Sequence, residues 1–184
     1  MNREQALNFL KENLFNQNLI KHCFAVEATM QELAIFFKQD EEKWALAGLL
    51  HDIDYEKIKD DPCQHSLVGA QILENRGVAK EICQAVRVHN EAHGIAPNSL
   101  LEKALFVTDP LTGLIAAATL VLPSKKIADL TVNNILNRFS EKSFAKGANR
   151  EIIKKSKELL DLELAEFIEI SLRAMQKISK ELGL

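Results

Sequence analysis

Apolar residues recur at intervals of three and four along almost the whole of this 184-residue chain, and nowhere do they alternate as a half-buried strand requires. That periodicity commits the chain to helices, and about seven to nine of them fit its length with short turns between. Only 7 Gly and 4 Pro punctuate the sequence, which again favours helices. The expected fold is all-α, a helical bundle forming a single domain over residues 1–184, with no linker, repeat or low-complexity tract to divide it.

Local signals place the helices. A first, over residues 2–14, opens behind Asn2 as N-cap, and a second, over 18–38, carries Leu19, Val26, Met30, Leu33 and Phe37 along one stripe. Asp40 caps a third, 41–52, which is apolar all round from Trp44 onward, as a helix enclosed by others must be. A fourth, 65–76, stops at Gly77, and another follows to His89. Residues 90–98 form a loop, after which Ser99 and Glu102 make a capping box. Pro110 lies inside the helix that follows and predicts a kink or break beside Asp109. Further helices are expected from Ser124, over 130–140 and over 150–184.

A formal net charge of -3 supplies no general basic field, so long nucleic acid is not expected as a partner. Cys23, Cys63 and Cys83 are an odd set without CxxC spacing. They suggest neither a disulfide framework nor a cysteine zinc site, which suits a reducing cytoplasm. The first residues, MNREQALNFLKENL, carry charges every few positions instead of the apolar core of a signal peptide. The most apolar stretch, 111–122, is too short to cross a bilayer and reads as a buried helix, so no membrane is expected.

Against this apolar background, four of the 5 histidines sit on core faces. His22 follows Leu19 by three and precedes Val26 by four, while His51 follows Ala47 by four and Trp44 by seven. His65 precedes Val68, Gly69 and Ile72 at three, four and seven; His89 continues Ala85 and Ile82 at four and seven. Asp109 continues Leu105 at four, and Asp52 adjoins His51 at the end of the most apolar helix. Burying ionised carboxylates without compensation is prohibitive, and an unpartnered imidazole costs about 1–3 kcal/mol. A shared divalent cation removes the difficulty. Imidazole and carboxylate donors without thiolate suit zinc, iron, manganese or nickel in an open site, and six candidate ligands fit two ions bridged by Asp52. The competing structural readings are that His65 caps the start of its helix and His89 the end of its own. His93 reads as solvated or near a substrate, and Asp54, Tyr55 and Glu56 as an exposed turn or as supports for the ligands.

The order His22, then His51-Asp52 in LLHDIDYE, then Asp109 resembles the HD superfamily of metal-dependent phosphohydrolases, whose ligands come as H, HD and D on successive helices. His65, in HSLVGAQIL, and His89, in AVRVHN, resemble the additional histidines of its binuclear branch. The resemblance covers about residues 18–122 and is similar to small stand-alone HDIG-type proteins; 123–184 is a helical extension it does not explain. HDIDY in place of HDIGK, and the lack of GYP, set the chain apart from the cyclic-dinucleotide phosphodiesterases.

The resemblance implies hydrolysis of a phosphate ester or anhydride, on a nucleotide or other small phosphorylated metabolite, by a metal-activated water with Asp52 as the catalytic carboxylate. One or two divalent transition-metal ions are the implied cofactor. Lys125, Lys126, Arg150 and Arg87 are the candidate phosphate-binding residues. Two other functions remain open at this point: a diiron oxygenase acting with dioxygen, and a nucleotide-binding module without turnover. The apolar residues of 159–172 serve equally to finish the core or to pair two copies as a homodimer.

Overall fold

The computed structural model describes residues 1–58 and 61–184, and among these every regular element is helical. The elements are α1 (Arg3–Asn13), α2 (Gln17–Phe37), α3 (Glu41–Leu50), α4 (Leu67–Asn75), α5 (Lys80–Val88), α6 (Leu100–Leu120), α7 (Val132–Ser140), α8 (Arg150–Lys154), α9 (Ser156–Leu160), α10 (Leu164–Lys177) and α11 (Ser179–Leu182). Short 3₁₀ turns at Pro62–Gln64, Glu91–His93 and Ile127–Asp129 join some of them. The all-α expectation holds. More helices appear than the spacing suggests because the stretch 150–184 is broken three times, at Lys155, at a left-handed Asp161 (φ 55) and at Ile178.

Several starts and stops follow the local chemistry. Asn2 and Gln5 form a reciprocal capping box at α1, Asp40 accepts from the Lys43 N–H at α3, and Gly77 (φ 77) ends the turn after α4. At α6, Ser99 accepts from the Glu102 N–H, while the Glu102 carboxylate reaches the Asn98 N–H and the Ser99 hydroxyl, so the box is only half closed. Ser124 starts no helix. Its hydroxyl accepts from the Lys126 N–H at 3.4 Å in a local turn, and the next helix waits for the Thr131 capping box.

The expected break at Pro110 does not occur: α6 runs unbroken through it for 21 residues. A proline inside a helix costs about 3 kcal/mol. Leu105, Leu111, Leu114 and Ile115 are all fully buried on the same helix, each worth about 1.5–3 kcal/mol, and they outweigh that cost. By length and composition α6 can cross a membrane, unlike the shorter stretch read from sequence, yet 61% of its most apolar window is buried inside the protein. It is a central core helix, packed against α2, α5, α7, α8, α9 and α10.

The helix α3 is the other centre, packed against α1, α2, α5 and α6. Its contact with α2 is unusually close at Gly48, where an added Cβ would stand 2.8 Å from the Glu27 nitrogen and 2.9 Å from the Val26 carbonyl carbon. The apolar residues of α10, including Phe167, Ile168, Ile170 and Leu172, are buried against α2, α6 and α7 and so finish the chain's own core. Because α2 and α3 carry His22 and end at His51, their separation sets the spacing of those two rings. Replacing Gly48 by Ala gains about 1 kcal/mol of helix propensity against about 1–3 kcal/mol of overpacking that backbone cannot relieve. Gly48→Ala should therefore unfold at lower urea than the parent and take up less metal. An unchanged midpoint with full metal content would refute this account of the crossing.

Candidate metal centre

Five places in the fold deliver the six residues. His22 sits within α2, His51 caps the C-terminus of α3, and Asp52 opens the turn that follows. His65 lies just before Ser66, the N-cap of α4; it precedes the helix instead of starting it. His89 caps the C-terminus of α5 and Asp109 lies in the middle of α6. Helix ends suit this task, because a side chain at a terminus projects past the last turn while the helix body stays in the core.

All six side chains converge. His22 Nε2 is 2.9 Å from Asp109 Oδ1 and 3.2 Å from His51 Nε2. Asp52 stands at the middle, its Oδ1 lying 3.4, 3.3 and 3.7 Å from the Nε2 atoms of His51, His65 and His89, and its Oδ2 3.7 Å from that of His22. On the far side His65 Nε2 and His89 Nε2 are 3.2 Å apart. Donors held about 2.1 Å from one ion stand roughly 3.0–3.4 Å from each other, so these spacings suit atoms sharing a cation. Two overlapping groups meet the requirement most closely, His22 with His51 and Asp109, and His51 with Asp52 and His89.

The outward ring nitrogens say which way the lone pairs point. His51 Nδ1 donates to the Gly48 carbonyl at 2.8 Å, His89 Nδ1 to the Val86 carbonyl at 2.6 Å, and His65 Nδ1 to Asp54 Oδ1 at 3.0 Å. The Thr112 hydroxyl donates to the Asp109 carbonyl, which leaves it to accept from His22 Nδ1 at 3.4 Å. In the neutral ring a proton on Nδ1 leaves Nε2 as an acceptor, so four nitrogen lone pairs and two carboxylates face one another. Acceptors in contact repel, and positive charge must stand among them. In the metal-free protein protons supply some of it. Burial pulls the His51 imidazole down, but the charges and hydrogen bonds of Asp52 and Asp109 outweigh it and push it up to about 9. His65, likewise opposed by burial, is carried to about 10 by its bonds to Asp52 and Asp54. The same pairings hold both Asp52 and Asp109 well below the usual carboxylate range against their own burial. One proton serves one pair, whereas a divalent ion serves several acceptors at once, and this donor set fits one.

Supporting contacts orient the rings. Asp54, fully buried, accepts from His65 Nδ1 with one oxygen and from the Ser66 and Gly69 N–H groups, both at 2.8 Å, with the other. Ser66 is held at φ 73, rare for serine, by that bond and by donating its hydroxyl to the Arg87 carbonyl at 2.9 Å. His93 Nε2 donates to the His65 carbonyl at 2.6 Å, and Tyr55, exposed, sets its ring edge-on to that of His65. Glu56 turns away to hold the Phe15 and Asn16 N–H groups. Sequence left Asp54 undecided between exposed turn and support; its partners lie 12 and 15 residues away, beyond the reach of local pattern.

The centre opens on a cleft at His22 and Asp109. His51, His89 and Asp52 are buried, while the side chains of His22 and Asp109 are 22% and 30% exposed and floor a cleft of about 280 Å³. Pro110 and Gly113 of α6, with Ala145, Gly147 and Ala148, wall it. Larger hollows of about 440 and 430 Å³ lie elsewhere, without a donor cluster among the described residues. None of the four basic residues expected at the phosphate lines this cleft. Lys125 and Lys126 are exposed beyond the end of α6, at least eleven residues, or about 16 Å of helix, past Asp109. Arg87 pairs with Glu74 at 2.6 Å, and every Arg150 N–H is bonded to a backbone carbonyl. A pattern of charge along a chain does not say which charges are already partnered.

This helical fold with converging His and Asp residues defines a class. The HD domain family model matches residues 19–114, which hold all six candidate ligands, and the chain belongs to that family. It is 31% identical to an uncharacterized protein of Methanocaldococcus jannaschii, over 84% of this chain and 92% of the relative. It is also 31% identical to ribonuclease Y of Oleidesulfovibrio alaskensis, over 75% of this chain but only 27% of that enzyme. A symmetrical bis(5'-nucleosyl)-tetraphosphatase of Halalkalibacterium halodurans is 31% identical, over 59% and 68%. No solved structure matches. Family membership implies a divalent metal, in agreement with the donor chemistry above.

Two measurements test the centre. Metal-free protein given a divalent ion at a hundred times its dissociation constant gains about 2.7 kcal/mol, or about 5–11 °C in Tm for a chain of this size. Calorimetric scans with and without manganese should show that rise, and a flat response to manganese, zinc, iron and nickel alike would remove the centre. Asp54→Asn turns its oxygen to the Ser66 and Gly69 N–H groups and presents an NH₂ to His65 Nδ1–H. Affinity for a divalent ion at the centre should fall about 10- to 100-fold, read by competition with a chelating dye.

Proposed function

We propose that this protein is a metal-dependent phosphohydrolase that cleaves a phosphate ester or anhydride of a nucleotide or other small phosphorylated metabolite. The observation that carries the reading is the convergence of four imidazole lone pairs and two carboxylates, two of whose residues, His22 and Asp109, floor an open cleft. Two of the relatives support it, since a ribonuclease and a tetraphosphatase both break bonds at phosphorus.

His22, His51, Asp52 and Asp109 would hold one ion, and Asp52 with His65 and His89 a second. When bound, the metal supplies Lewis acidity for activating water and offsetting phosphate charge. The chain does the rest. Asp52, central to both groups and buried, fixes the spacing between them; Asp54, Gly48 and Val86 keep the rings from rotating. The partly exposed edge of His22 and Asp109 meets the substrate, and Asp109 is the carboxylate there placed to accept a hydrogen bond from an attacking water. Small residues in the wall leave the cleft room for a phosphoryl group.

The test is phosphate release by protein of measured metal content. It uses a panel of mononucleotides, bis(5'-nucleosyl) tetraphosphates and phosphate diesters, with and without dioxygen. Turnover is expected with manganese, zinc, iron or nickel regardless of dioxygen, and Asp52→Ala should lower it by roughly a hundredfold or more. Wild type and Asp52→Ala equally inert on the whole panel would refute the reading. Turnover that consumes dioxygen would replace it with oxygenase chemistry.

A further inference from the structure

The cleft at His22 and Asp109, about 280 Å³, has room for a phosphoryl group but little more, since pockets for whole small molecules run to about 300–1,000 Å³. The rest of a phosphate ester needs space beside it, and one face of α6 leads to such a space. Phe106, Pro110 and Gly113 stand at i, i+4 and i+7 and so share a face of this unbroken helix. Pro110 and Gly113 line the cleft, while Phe106, about 6 Å back along the helix axis, lines the hollow of about 430 Å³. A second tie joins the two spaces. Glu91, on the rim of the hollow, accepts from Asn149 at 2.6 Å, and Asn149 directly follows the cleft-wall residue Ala148.

The hollow has two kinds of lining. Ile95 and Pro97 of the loop before α6, Phe106 of α6 and Leu159 of α9 are apolar, and Ile95 is left 37% exposed. Lys155 and Glu158 are charged. The Lys155 ammonium stands 5.8 Å from the centre of the Phe106 ring, and neither it nor the Glu158 carboxylate is in an ion pair among the described residues. A wholly apolar ligand leaves both charges without a partner, and a bare phosphate makes no use of the apolar side. A flat heterocycle has apolar faces and a polar edge. Its faces suit Ile95 and Leu159, and its edge can accept from Lys155 and donate to Glu158.

We propose that this hollow is a nucleoside pocket serving the metal centre, holding the base of a nucleotide whose phosphate lies at His22 and Asp109. The proposal rests on the phosphohydrolase reading and narrows its substrates to esters and anhydrides of nucleosides. Lys155, Glu158 and Leu159 belong to the stretch beyond the HD family match at 19–114, so this side of the pocket is supplied by the chain's own extension.

The experiment uses manganese-loaded full-length protein and measures, by calorimetry, the dissociation constants of adenosine 5'-monophosphate and of inorganic phosphate. The parent should hold the nucleotide at least about tenfold more tightly than phosphate, a factor that burial of about 55 Å² of apolar surface supplies. Ile95→Asp, which puts charge on the apolar side, and Ala96→Trp, which fills the hollow, should each bring that ratio to within about threefold of one. Ile95→Leu should keep it. Both Ile95 and Ala96 are exposed, so these exchanges leave the core intact. A parent ratio near one, binding of neither ligand, or a parent-like ratio in both Ile95→Asp and Ala96→Trp would overturn the pocket. Turnover is read separately, as phosphate release from nucleotides and from glycerol 2-phosphate. A parent that cleaves glycerol 2-phosphate with a binding ratio near one loses the pocket and keeps the phosphohydrolase reading. The expected ratios with no phosphate released from any ester would keep the nucleoside site and end that reading.

Discussion

Acceptors do not crowd together without a reason, and in this chain six side chains present lone pairs or negative charge to a shared space. Removing a carboxylate from water into an apolar surrounding costs several kcal/mol even after relaxation. Asp52, 5% exposed, is tolerable only with positive charge beside it. The rest of the structure answers to that requirement. Each ring is anchored through its outer nitrogen, and each anchor is a backbone carbonyl, a buried carboxylate or a hydroxyl that cannot itself wander. Rotation of any one ring would break its anchor and aim an N–H where a lone pair is needed.

Such anchoring asks for rigid helices around the centre, and the apolar sequence provides them. α3 is enclosed by its neighbours and α6 crosses the core from end to end. Close approach of α2 and α3 depends on Gly48, and that same glycine offers its carbonyl to His51 Nδ1. One residue thus sets both the distance between two ligand-bearing helices and the tautomer of a ring. The lone proline of α6, next to Asp109, is accommodated without a break because apolar burial along the helix outweighs one lost hydrogen bond.

Spacing along the chain revealed what depends on spacing. His22, His51, His89 and Asp109 share faces with core residues in helices or at their ends, so a period of 3.6 residues places them inward. The convergence of the six followed. What was not legible depends on contacts distant in sequence or on partners of charge. Asp54 gains its role from Ser66 and Gly69, residues on a different element. Ser124 looked like a helix start because serine caps helices, yet it bonds its own turn. Arg150 reads as a phosphate ligand because it is basic, whereas in the fold five carbonyls already use its donors.

The cleft therefore has two parts with different origins in the chain. Its floor is built by residues of the HD domain, where exchanging any acceptor would leave others unmatched, so the chemistry available there is constrained by mutual dependence. Its far wall, Ala145, Gly147 and Ala148, comes from the stretch beyond that domain's match, where only backbone shape and a few side chains matter. A wall held through carbonyls tolerates change in the side chains it presents, since Arg150 reads none of them. Side chains at 141–149 can then vary without disturbing the centre, because a rigid helical scaffold holds the converging acceptors and an irregular segment only walls the space beside them.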